Sequence, residues 1–94
     1  MGVTKHDRIA NEIADRKGTV YHSDRGVDIR TSTQAIEVEV DAGKLKEGVR
    51  QLQGSSKARY LAVPNDLVQE AIEYTEGKGV GVMNEHGRIR KRAR

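Results

Sequence analysis

Three carboxylates in the stretch DIRTSTQAIEVEVD, residues 28–41, are the residues whose type and spacing first suggest chemistry. Asp28 stands in GVDI, and Glu37 and Glu39 lie one apart in IEVEV. Alternation along a strand puts Glu37 and Glu39 on one face, with Ile36, Val38 and Val40 on the other. Val27 and Ile29 oppose Asp28 and Arg30 in the same way. If the two apolar faces share one core, all three carboxylates point to the same other side. Like charges held that close repel, and one is driven towards protonation unless a cation sits among them. Oxygen ligands at this density suit Mg²⁺ or Mn²⁺. A metal there could activate water and stabilise a phosphate oxygen. The plain alternative is ordinary outward Glu on a strand, paired across to Arg or Lys.

The elements that must position these residues follow from hydrophobic period. Residues 4–17 read as a helix, with Thr4 as cap, Asp7 three residues on, and Ile9, Ala10, Ile13 and Ala14 as its apolar stripe. Gly18 stops it. TVYH, GVDIR and AIEVEV read as a three-stranded meander, with SDRG and TSTQ as turns. Residues 42–53 return to helical spacing, capped by Asp41, with Leu45, Val49 and Leu52 buried. ARYLAV, 58–63, suits a central buried strand that Pro64 ends. Asn65 is expected to cap a helix with Leu67, Val68, Ala71 and Ile72 as its stripe, and Gly77 to stop it. VGVM, 80–83, is a last short strand before a turn at NEHG. The step from AIEVEV through a helix to ARYLAV implies a parallel pair with a crossover. The expected fold is an α/β sandwich of order α-β-β-β-α-β-α-β around a mixed sheet.

Ninety-four residues make one domain, here read as 1–87 plus a basic C-terminal tail, 88–94. With 35% hydrophobic residues, no Phe, no Trp and three Tyr, the core is modest. A homodimer is the simplest source of added stability. The absence of Cys excludes thiolate metal sites and disulfides, and fits a cytoplasmic setting. No apolar run approaches a membrane span, MGVTKHDR lacks the apolar stretch of a signal peptide, and no small-molecule cofactor is expected. The terminal RIRKRAR holds five of the 17 basic residues and no acid, leaving 12 basic against 14 acidic elsewhere, a balance of −2. A basic end on an acidic body is a footprint of nucleic-acid contact, or else a solubilising end. His6, His22 and His86 are scattered without ligand spacing and read as surface or turn residues. GKGVG, 77–81, lacks the Lys-Ser/Thr of a phosphate-binding loop.

The element order and GVDI with IEVEV resemble the PD-(D/E)xK nucleases, the group of restriction enzymes, Holliday-junction resolvases and repair nucleases. The resemblance runs through the following helix, ARYLAVP, the next helix and GVGVM, nearly the whole chain. It implies a restriction-endonuclease-like fold and a Mg²⁺- or Mn²⁺-dependent endonuclease hydrolysing DNA, structure-selective or nonspecific. By it, Asp28 and Glu37 would be metal ligands, the Val38 carbonyl a third, and Glu12 the acid that resolvase-type members place in the first helix. Glu12 alternatively pairs with Arg16. Gln51 matches a polar position facing the site, and alternatively is an exposed helix residue. The chain departs from the family in two places. Val27 replaces the motif Pro, and the motif lysine falls on Glu39. Either Glu39 serves as base or ligand, or Lys44 or Lys46 supplies the lysine, or catalysis is lost and a nucleic-acid-binding or dimeric interaction module remains. DNA contacts would come from Arg88, Arg90, Lys91, Arg92 and Arg94, with Arg30, Lys57 and Arg59 as further candidates.

Overall fold

A computed structural model describes residues 4–22 and 27–94. The turn expected at SDRG, 23–26, lies outside the described residues, as does Gly26 of the GVDI motif. Helix α1 spans Lys5–Arg16, strand β1 Ile29–Arg30, β2 Gln34–Val38, helix α2 Leu45–Leu52, β3 Ala58–Ala62, α3 Val68–Thr75, β4 Val80–Met83 and β5 Ile89–Lys91. Single 3₁₀ turns, Ala42–Lys44 and Asn65–Leu67, lead into α2 and α3. The five strands form one mixed sheet in sequence order. β2, β3 and β4 run parallel, and β1 and β5 are antiparallel edges. Each parallel step is bridged by a helix, as the tight crossover requires.

Both faces of the sheet are covered. The stripe of α1, Ile9, Ala10, Ile13 and Ala14, packs on Ile29, Ile36, Val38, Tyr60, Ala62 and Met83. On the other face α2 and α3 bury Leu45, Val49, Leu52, Val68 and Ala71 against Ala35, Leu61, Val63, Val80 and Val82. Central parallel strands covered twice are apolar on both sides. Thr4 caps α1 by accepting from Asp7 N, and Asp41 accepts from Gly43 N at the start of the α2 segment. Among the described residues no helix is long and apolar enough to cross a membrane.

Four features differ from the expected layout. The TVYH strand reduces to a single bridge between Tyr21 and Ile29. Val27 and Ile29 do not share a face, because the chain bends at Asp28. Val27 joins the α2–α3 layer and Ile29 the α1 layer. Asn65 does not cap with its side chain. Its residue opens a 3₁₀ turn, and its backbone N–H donates to Glu85 Oε1. The basic end is folded as far as β5, which pairs with β4 and extends the sheet.

Candidate active site

The bend at Asp28 builds the site. In the β1–β2 ladder Ile29 pairs with Ile36. One step further, the Asp28 carboxylate replaces the backbone partner, and its Oδ2 accepts from Val38 N at 2.9 Å. Glu37 answers in reverse, its Oε1 accepting from Asp28 N at 3.2 Å. The two acids are thereby locked to each other's backbone. The Val38 carbonyl lies on the same strand edge as its N–H. Val38 itself is fully buried.

Glu37 lies opposite Leu61 in the β2–β3 register, so it faces the layer of α2 and α3 and not solvent. It is only 8% exposed, as is Asp28. The expectation that Glu37 and Glu39 point outward is therefore corrected for Glu37, and Glu39 is half-buried. Gly48 explains how α2 comes down on them. A Cβ at Gly48 would stand 2.7 Å from Leu61 Cδ1 and 2.8 Å from Glu39 Cγ, so only glycine lets the helix sit this close. Burial pushes the Glu37 carboxyl up to about 8, aided by the Asp28 charge beside it. Burial likewise pushes Glu39 up to about 7, with His6 opposing and Asp28 and Glu47 reinforcing the rise.

His6, at the start of α1, completes the cluster. Its Nε2 lies 3.1 Å from Asp28 Oδ2. That hydrogen bond, first among the causes, raises the imidazole to about 9 against the cost of its burial. The imidazolium then donates through Nε2 to Asp28, and its Nδ1 faces Tyr21 Oη at 3.3 Å and Asp7 Oδ1 at 3.5 Å. Tyr21 Oη donates to Asp7 Oδ1 at 2.8 Å, which holds Asp7 below the usual carboxylate range. The reading of His6 as a surface histidine is corrected. Only the fold could reveal it, since residues 6, 21 and 28 have no common spacing.

No family model, curated protein or solved structure matches the chain. The remaining expected site residues divide by position. Lys44 is exposed at the end of the turn before α2, close enough to Glu39 to oppose its rise. Gln51 is exposed and lines a recess with Arg30 and Lys57, away from the acids' hydrogen bonds. Glu12 does not join the cluster. Its Oε2 takes Arg16 Nε at 3.0 Å and His86 Nδ1 at 2.8 Å, tying α1 to the β4–β5 turn. Lys91 turns inward, donating to Val80 O, Thr75 O and Thr75 Oγ1. Arg59 is half-buried and donates to Gln53 Oε1. Arg88, Arg90, Arg92 and Arg94 remain exposed.

Among the described residues no three His, Asp or Glu side chains form a group ready to hold a metal ion. The oxygen groups that lie together are Asp28, Glu37 and the Val38 carbonyl, with Glu39 two residues beyond Glu37. Oxygen groups are the kind a hard divalent cation takes, and the raised Glu37 and Glu39 carboxyls are groups whose charge a cation would stabilise.

Proposed function

We propose that the protein is a divalent-metal-dependent endonuclease of restriction-endonuclease-like architecture, hydrolysing phosphodiester bonds of DNA. The observation that carries this reading is the reciprocal lock of buried Asp28 and Glu37 on each other's strand. His6 partners Asp28, but Glu37 is buried beside that carboxylate with its own carboxyl pushed up, a costly arrangement that stability alone gives no reason to assemble. Asp28, Glu37 and the Val38 carbonyl would hold Mg²⁺ or Mn²⁺. Such a cation lowers the pKa of bound water and offsets charge growing on a phosphate oxygen.

The chain's own residues do the rest. Glu39 half-faces solvent and is poised near neutrality, so it accepts a proton from water approaching the phosphate. Lys44 offers a cationic alternative at the same place. His6 holds the Asp28 carboxylate in its rotamer, and Gly48 admits the α2 backbone that dries the Glu37 side. The exposed arginines at and beyond β5 hold the nucleic-acid backbone without reading its sequence. A two-fold dimer would set two such sites against two strands.

The His6–Asp28 ion pair favours a second reading, a binding module in which the imidazolium has taken the cation's place. A cleavage assay on supercoiled plasmid and a four-way junction, with Mg²⁺, Mn²⁺ or EDTA, separates the two. Metal-dependent cutting by the native protein, lost in Glu37→Gln, is the expected result. Retention of DNA by both proteins with no cutting by either would establish the binding module.

A further inference from the structure

A recess of about 450 Å³ opens between the end of α2, β1 and the loop entering β3. Buried Val27, the neighbour of Asp28 in the chain, forms its floor, and Arg30, Gln51, Ser55, Ser56 and Lys57 form its walls. Among the described residues no carboxylate lines it. Arg30 makes no ion pair among the described residues. Lys57 Nζ donates to Thr31 O at 2.6 Å, which fixes its position and leaves two ammonium N–H groups over. The backbone N–H groups of Gly54 and Ser56 donate to no described residue. The recess thus concentrates positive charge and unused donors.

We propose that this recess seats one nucleotide of a nucleic-acid strand, its phosphate held by Arg30, Lys57 and the Gly54–Ser56 loop. The proposal rests on the reading of the acids as a phosphodiester-hydrolysing site, and supplies that site with a subsite for the flanking strand. Arg30 forms the fork that matches phosphate oxygens, and Lys57 adds a point charge. Ser56 adds a hydroxyl donor. The sign of the charge changes between Asp28, at the bend before β1, and Arg30 at its end, two residues apart. A strand crossing that edge meets the acid oxygens at one phosphate and the basic recess at the next. Gln51 then contacts substrate in the recess and not the reacting atoms.

The test uses the Glu37→Gln protein in EDTA, so that binding is read without cutting. Its amide NMR signals are followed while inorganic phosphate, and separately a short oligothymidylate, are added. Signals of residues 54–57 are expected to shift with both probes. Arg30→Gln with Lys57→Gln is expected to weaken oligothymidylate binding and to lower the slope of log affinity against log salt by about 0.7, the value for one phosphate neutralised on a single strand. Ser56→Glu, an exposed substitution that leaves the packed layers alone, is expected to weaken binding as well. It decides the matter if the double variant does not fold. Shifts confined to residues 88–94, with affinity and salt slope unchanged in the variants, would overturn the recess, as would no binding of either probe. Native protein that cuts plasmid while the recess variants bind normally would remove the recess and keep the nuclease. Recess binding without metal-dependent cutting would do the reverse.

Discussion

Helix α1 carries two histidine–carboxylate contacts, and they behave oppositely. At its start His6 meets Asp28 in a cluster where Asp28 and Glu37 are each 8% exposed. Near its end Glu12 meets His86 and Arg16 in the open, with the Glu12 side chain 35% exposed. The open carboxylate is pulled below its ordinary range, chiefly by the His86 hydrogen bond. The buried carboxyls Glu37 and Glu39 are pushed up, chiefly by burial. Pairing dominates at Glu12, which is open to water, and desolvation dominates at Glu37 and Glu39, which have no such partner. The Glu12 contact is a fastener. The His6 contact sits among groups left in tension, and such tension is found where chemistry is done.

The largest expected effect comes from removing that tension. A carboxyl raised to about 8 when folded, from an ordinary 4.5, contributes stability that is full below about pH 4.5 and lost as pH rises through 8. Glu37→Gln is therefore expected to change stability little at pH 4 and to raise it at pH 9 by roughly 2–4 kcal/mol, at about 1.4 kcal/mol per pKa unit. Urea melts at the two pH values check this, and equal changes at both would break the contrast with Glu12. Next is Gly48→Ala, whose Cβ meets Leu61 and Glu39. It is expected to cost about 1–3 kcal/mol and to lift α2 off the acids, lowering cleavage as well.

His6→Ala follows. The imidazole is raised to about 9 from 6.5, so its contribution is full below pH 6.5 and lost as pH rises through 9. A loss of about 1–2 kcal/mol at pH 6, vanishing at pH 10, is expected for a charge-assisted hydrogen bond on a 29% exposed side chain. Smallest is Glu12→Gln. An exposed pair is worth about 0.5 kcal/mol, and added salt should erase even that. Metal-dependent cutting should persist in this variant. Loss of cutting would return Glu12 to the site and undo the comparison.

The parts of the fold that could be read were those with long, single-period patterns. The stripe Leu45, Val49, Leu52 between two apolar runs foretold the parallel β2–β3 pair. The α1 stripe was as clear. The two-residue β1 was too short for alternation to fix its faces, and the bend at Asp28 put Val27 and Ile29 in different layers. In β2, alternating Glu looked like a solvent face, because nothing in IEVEV says that a helix covers it. Gly48 in the α2 pattern was the available sign of a close approach. His6 and Lys91 could not be placed from spacing, since their partners, Asp28 for one and Thr75 with Val80 for the other, arrive only through tertiary packing.

The most direct test is the ionisation of Glu37 itself, followed by its side-chain carboxyl ¹³C signal across pH with and without Mg²⁺. The account predicts a midpoint near 8 without metal, moving to lower pH as Mg²⁺ is added, since a bound cation favours the carboxylate. A midpoint near the ordinary 4.5 that Mg²⁺ leaves unmoved would contradict it, and would make the acid cluster a wet surface like Glu12.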